Sequence, residues 1–140
     1  MLTTWREEMA TGNDVIDGQH KELLRRVAEM LKCAKEQRGH EELGRLMWFL
    51  KKYVRQHFRA EEKLQLDCGF PGYEAHKLQH ELFFREVLRL ERMYEEQGDN
   101  TVMIVAAITA MCEWLRSHFN VTDKIMAEYL RENGAETIDN

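Results

Sequence analysis

The chain holds a single proline, Pro71, and its eight glycines are scattered through 140 residues. That leaves too little turn-forming material for a multi-turn β architecture or for flexible linkers. Cysteine is scarce as well. Cys33, Cys68 and Cys112 are odd in number, widely spaced and form no CxxC pair. Neither a disulfide framework nor a zinc knuckle is indicated, and each thiol reads as a small buried or half-buried side chain. Positive charge is in deficit: a formal net charge of −5 supplies no basic face for general nucleic-acid binding. Long hydrophobic runs are missing too. The longest, Val102 to Cys112, is interrupted by Thr109 and is too short to span a bilayer. The opening stretch MLTTWREEMATGND has no apolar core of signal-peptide length. These absences predict a cytoplasmic protein without a nucleic-acid or membrane partner.

What the chain does have is Leu, Glu, Met, Ala, Lys and Arg, the good helix formers. Its length suits one domain, residues 1–140, with a real core. Residues 1–15 read as an arm, with Trp5 and Met9 tacked onto the body and a turn at Gly12-Asn13. Asp14 or Asp17 then caps a first helix, whose apolar stripe is Ile16, His20, Leu23/Leu24, Val27, Met30/Leu31 and Ala34, ending at Gly39. A second helix begins near Glu41 with the stripe Leu43, Met47, Leu50, Val54, His57, Glu61 and Leu64. The stretch Asp67-Cys68-Gly69-Phe70-Pro71-Gly72 stops it, because Pro cannot continue a helix and Gly can take the position after its end. A third helix carries Tyr73, His76, His80, Phe83/Phe84, Val87, Leu90 and Tyr94. Residues 95–100 are a polar turn. A fourth helix carries Val102/Ile104, Ile108, Met111, Leu115 and His118, followed by a helical finish around Asp123, Met126 and Leu130, and a polar tail at 134–140. The fold class predicted is all-α: an up-down-up-down four-helix bundle with an N-terminal arm and a short C-terminal helical extension.

Five of the six histidines fall on those apolar stripes: His20, His57, His76, His80 and His118. The sixth, His40, sits beside Gly39 in a turn. Glu61 is core-facing, and Asp123 is proposed to be. Residues at i and i+4 lie on one helix face, so His57 with Glu61, and His76 with His80, each offer a pair of ligand atoms. One histidine on an apolar face reads as a hydrogen-bonded core residue. Five imidazoles and two carboxylates over four helices are different: without a cation their burial carries a large desolvation cost. Two metal ions offset it. Imidazole and carboxylate without thiolate suit Fe, Mn, Zn or Cu. One spacing is irregular. His118 and Asp123 are five apart, about 140° around a regular helix, so both reach one site only if the helix carries a π-bulge or tightens and bends between them.

At these residues the chain resembles the hemerythrin family, and its single-domain bacterial members in particular. The motifs are Trp5, Gly12-Asn13 and IleAspGlyGlnHis at 16–20; His57-Phe58-x-x-Glu61-Glu62 with the following Gly-Phe-Pro turn; His76-x-x-x-His80-Glu81-x-Phe83; and Trp114-Leu115-x-x-His118-Phe119-x-x-x-Asp123. The resemblance implies two non-haem iron ions with an oxo or hydroxo bridge. His76, His80 and His118 would hold one iron. His20 and His57 would hold the other and leave it an open position for O2. Glu61 and Asp123 would bridge both. Leu115 and Phe119 would flank His118 and wall the O2 pocket, whereas Ile16, Leu24 and Phe58 read first as plain core and second as further lining. Phe119 stands where the family often has a smaller aliphatic residue. The function implied is reversible O2 binding for storage, delivery or buffering, without an enzymatic role; separately, a monomer is expected. The rival readings are a sensor of O2, redox state or iron, and a peroxide- or nitric oxide-reducing enzyme.

Overall fold

The computed structural model describes residues 4–97 and 101–133. Its helices are α1 (Asp14–Lys35), α2 (His40–Asp67), α3 (Tyr73–Gln97), α4 (Thr101–Ser117) and α5 (Asp123–Glu132). A 3-10 turn, Glu7–Met9, precedes α1, and a π-helical segment, His118–Thr122, joins α4 to α5 without a break. No strand occurs among the described residues. The expected all-α four-helix bundle is what the chain forms. The polar tail at 134–140, residues 98–100 of the predicted 95–100 turn and the first residues of the arm lie outside the described residues; residues 95–97, expected in that turn, are instead the last of α3.

Packing follows a closed ring. α1 packs on α2 and α4, α2 on α3, and α3 on α4. Short connections force neighbours to run antiparallel. The α2–α3 corner shows how it turns. Gly69 takes φ +66, a left-handed conformation that side chains with a Cβ rarely adopt. Phe70 N–H donates to the Gln65 carbonyl at 2.9 Å and Gly69 N–H to that of Leu66 at 3.2 Å, the paired bonds of a Schellman ending. Pro71 follows where no helical N–H is needed.

The start of α1 differs from expectation. Neither Asp14 nor Asp17 caps it; the Asn13 side chain accepts from Val15 N and Ile16 N at 3.0 Å each. Asp17 is taken up by the arm, accepting from Thr11 N at 2.9 Å and Thr11 Oγ1 at 2.8 Å. The arm is thereby pinned, and Met9 is fully buried while Trp5 packs against the core.

Two apolar regions result. The larger runs through Leu23, Val27, Leu50, Val54, Phe83, Leu90, Ile108 and Leu115. The smaller joins Ile16, Met126 and Leu130 at the opposite end. His20, Glu61 and Asp123 fall in chain order between residues of the two regions, so a polar layer divides the core. The run Thr101–Glu132 spans 32 helical residues and is, by length and composition, long and apolar enough to cross a membrane. The apolar stretch read from the sequence stopped at Cys112; the continuous helix extends it. Its inward face nevertheless carries His118 and Asp123, both buried in the bundle.

Candidate metal centre

His20, His57, Glu61, His76, His80, His118 and Asp123 meet in that polar layer, each at most 3 % exposed. α1 supplies His20, α2 supplies His57 and Glu61, and α3 supplies His76 and His80. The π-helical segment supplies His118, and Asp123 is the first residue of α5. The expected irregularity is present: the π-helical turns between His118 and Asp123 absorb the five-residue spacing. His118 Nε2 and Asp123 Oδ1 come within 3.1 Å.

Each carboxylate divides its oxygens between two groups of histidines. Glu61 Oε2 faces His20 Nε2 at 3.4 Å and His57 Nε2 at 3.2 Å. Glu61 Oε1 faces His76 Nε2 at 3.5 Å and His80 Nε2 at 3.2 Å. Asp123 repeats the pattern, with Oδ2 at 2.9 Å from His20 Nε2 and Oδ1 at 3.0 Å from His76 Nε2. Two nests of ligand atoms follow. Glu61, His76, His80, His118 and Asp123 form one; His20, His57, Glu61 and Asp123 form the other, and within each the ligand atoms lie within 4.8 Å of one another.

The donors fit cations. Both oxygens of Glu61, both of Asp123, His57 Nε2 and both ring nitrogens of His20 are buried and make no hydrogen bond. Six of these, all but His20 Nδ1, face one another across the cluster, which would be very costly if nothing else met them. His76 Nε2 and His80 Nε2 each lie 3.2 Å from His118 Nε2, so lone pairs converge on one point.

The outward nitrogens support the same arrangement. His57 Nδ1 meets Gln19 Oε1 at 2.5 Å, His80 Nδ1 meets Glu62 Oε2 at 2.7 Å, and His118 Nδ1 meets Gln79 Oε1 at 3.1 Å. Those oxygens accept an N–H, which places the proton on Nδ1 and leaves the Nε2 lone pair facing inward. The Gln65 side chain stands 3.1 Å from His76 Nδ1 through Nε2, while its buried Oε1 has no partner. Turning that amide over, a choice set by hydrogen bonding, gives His76 the same acceptor. In the sequence reading Gln19 and Glu62 are motif residues without an assigned role, and Gln65 and Gln79 do not figure. Their signal was weak: Gln19, Glu62 and Gln79 each neighbour a ligand in sequence.

Rings pack the histidines in place. Phe58 stacks on His80 at 3.8 Å and Trp114 on His118 at 4.5 Å. Phe119, expected beside His118, has its ring face on His20 at 3.7 Å, and Leu115 is fully buried in the larger apolar region. Leu24 is buried in the larger apolar region, whereas Ile16 joins Met126 and Leu130 in the smaller one. His40 stays outside the cluster, stacked on Tyr94 at 3.9 Å.

With no metal, protons take up the charge. Burial works to lower the His20 and His76 pKa values, but the facing carboxylates of Asp123 and Glu61 outweigh it and raise each to about 9. His80 is raised in the same way by Glu61 and Glu62 against its burial. His118 goes the other way, lowered because burial exceeds the pull of Asp123. Burial works to raise Glu61 and Asp123, yet the surrounding imidazoles hold both carboxyls well below the ordinary range.

A family model described as the Hemerythrin HHE cation binding domain matches residues 11–130. The chain belongs to the hemerythrin family. Among its hemerythrin relatives, a bacteriohemerythrin of Pseudomonas paraeruginosa is 28% identical over 137 residues, covering 96% of this chain and 85% of the relative. One from Stenotrophomonas maltophilia is 29% identical over 133 residues, covering 93% and 82%. One from Clostridium acetobutylicum is 25% identical over 126 residues, covering 88% and 97%. The family's description as cation-binding agrees with a cluster of buried donors that lack any other partner.

Proposed function

We propose that this hemerythrin holds two iron ions and binds O2 reversibly, for storage, delivery or buffering. His76, His80 and His118 hold one ion, His20 and His57 the other, and Glu61 and Asp123 each give one oxygen to either side. The observation that carries this reading is the split of both carboxylates between the two histidine groups. Three imidazoles on one side and two on the other make the second ion the one with room for an exogenous ligand. Iron held by these residues would supply reversible electron exchange with O2.

The chain's own residues supply the rest. Imidazole-rich ligation stabilises high oxidation states less than a carboxylate-rich set would, which favours return of the electrons. Gln19, Glu62 and Gln79 fix the ring orientations. Phe119, stacked on His20, excludes water on that side, which opposes loss of a reduced oxygen species. This reading is a binding function.

The test is optical. The reduced protein is exposed to air and then purged with inert gas. A visible charge-transfer band that rises, vanishes and returns over repeated cycles is the expected outcome, with two irons per chain by metal analysis. Zinc in place of iron, or one-way conversion on first exposure, would sink the carrier reading. The one-way result would favour a sensor or a reductase.

A further inference from the structure

A formal net charge of −5 averages over faces of the bundle that differ. From Leu43 to Ala60, α2 contains no aspartate or glutamate, and seven of its side chains there are exposed. Four of these are basic, Arg45, Lys52, Arg55 and Arg59; two are aromatic, Trp48 and Phe49; the last is Gln56. At 100° per residue all of them fall within about a third of the helix circumference, so they form one stripe roughly 21 Å long. The other helices expose no such combination. α3 alternates signs along Glu81, Arg85, Glu86 and Arg89, and α4 exposes Val102 and Met103 with Glu113 as its exposed charge. α1 exposes Lys21, Arg25 and Lys32 but contains no Phe, Trp or Tyr.

Elsewhere many cations are spent on acids: Arg25 and Arg26 on Glu22, Lys51 on Glu91, Lys63 on Asp67, Arg89 on Glu86. Among the described residues, Arg45, Lys52, Arg55 and Arg59 form no ion pair. The acids at the ends of the stripe are mostly drawn off, Glu42 by Arg38 at 3.5 Å and Glu62 by His80 at 2.7 Å, which leaves Glu41 before Arg45 and Glu81 across from Arg55 and Arg59 on α3. Lys52 Nζ lies over the Trp48 ring at 4.4 Å, and Phe49 meets that ring edge-on at 5.1 Å. Both rings nevertheless stay open to solvent, Trp48 at 48% and Phe49 at 43% exposure.

We propose that this stripe docks the protein on an anionic lipid bilayer, with Trp48 and Phe49 at the level of the headgroups and the four cations against the lipid phosphates. Indole is favoured at that level because its body is apolar and its N–H polar. Lysine and arginine lay their stems along apolar surface and keep their charge among the headgroups, an arrangement that Lys52 already makes over Trp48. The shape selects this partner over others. A convex ridge one helix wide and about 21 Å long projects on the order of 200 Å², well below the roughly 800 Å² that a stable protein complex covers on each partner. A fluid bilayer needs no matching contour. Single-stranded nucleic acid would stack its bases on a free ring face, and here Lys52 lies over one face of Trp48 while Phe49 abuts the ring. The contact lies on the membrane surface and spans nothing, and it does not depend on the metal centre. It replaces the expectation of a chain without a membrane partner, which rested on net charge and on the length of apolar runs.

The experiment sediments the full-length protein with sucrose-filled vesicles of equal parts phosphatidylglycerol and phosphatidylcholine, and with vesicles of phosphatidylcholine alone. Binding to the first and not to the second is expected, weakening as salt is raised. Tryptophan emission should shift to shorter wavelength on binding, and that shift should be lost in Trp48→Phe. In the double variant Lys52→Glu/Arg59→Glu, affinity should fall by about tenfold or more while metal content and helix content stay unchanged, since both positions are exposed. Trp48→Ala/Phe49→Ala should weaken binding at high salt as well as at low, because it removes the apolar part of the contact. No binding to the anionic vesicles, or equal binding by wild type and the charge-reversed variant, would overturn the proposal. Charge-dependent binding with unshifted tryptophan emission would overturn it too, leaving only diffuse attraction. Tighter binding of a single-stranded RNA oligonucleotide than of the vesicles would assign the stripe to nucleic acid instead.

Discussion

An imidazole has two nitrogens, and the one facing away governs the one facing in. In four of the clustered histidines a carbonyl or carboxylate oxygen, or an amide able to present one, stands at Nδ1. His20 alone among the clustered histidines has no partner there and is held instead by the Phe119 ring. Gln65 is the most deeply placed of these partners, fully buried between His76 and Met126 Sδ. Replacing Gln65 with Leu leaves the His76 N–H without an acceptor in a dry site. Retention of metal against a chelator is expected to weaken about 10- to 100-fold, the usual effect of losing such a partner. Gln65→Glu, which keeps an acceptor, should recover most of it. Unchanged retention in the Leu variant would remove the amide from any part in ligation. None of this was legible in the sequence. The five ligand histidines announce themselves by sitting on apolar stripes, where an imidazole is anomalous. A glutamine on a helix is ordinary, and its meaning depends on which helix crosses it.

At the scale of the element, the π-helical segment His118–Thr122 is the device that lets one helix contribute two ligands five residues apart. Its need was legible, because a regular helix would have carried Asp123 about 140° away from His118. What the spacing left open was whether a bulge or a bend would answer it. Deleting Asn120 tests the device directly. One residue fewer gives a four-residue spacing that a regular α-helix satisfies for His118, but it rotates everything after it by about 100°. Met126 and Leu130, which pack on Ile16 in the smaller apolar region, would be turned out of it or would drag the helix end out of register. The expected outcome is less than two metals per chain and a lower denaturation midpoint, read by metal analysis and circular dichroism with the helix content largely kept. The start of α1 shows the opposite case. Capping by Asn13 instead of Asp14 or Asp17 was not legible, since all three are good caps. The choice is made by Thr11, a residue of the arm, which draws the Asp17 carboxylate away through two hydrogen bonds.

Over the whole molecule, a polar layer divides a bundle whose helix pattern alone is enough to specify the fold, and the protonation of that layer must couple to stability. For the metal-free form the signs can be worked out. His20 and His76 have folded pKa values of about 9, and His80 is raised as well. Their contribution is full below the unfolded value of about 6.5 and is lost as pH rises through the folded value. Glu61 and Asp123 are depressed, so their contribution is present above the unfolded values near 4 and is lost as pH falls. His118, lowered by burial, adds stability above its unfolded value. The metal-free protein should therefore be most stable between about pH 4.5 and 6.5 and weaken toward pH 9. Metal reverses the slope. It needs the same imidazoles deprotonated and releases their protons on binding, so its stabilisation grows as pH rises. The gap between the denaturation midpoints of the metal-loaded and metal-free proteins is expected to widen steadily from pH 6 to pH 9. Guanidinium titrations of both forms across that range measure it, and a gap that narrows would mean that these imidazoles are not where the metal binds.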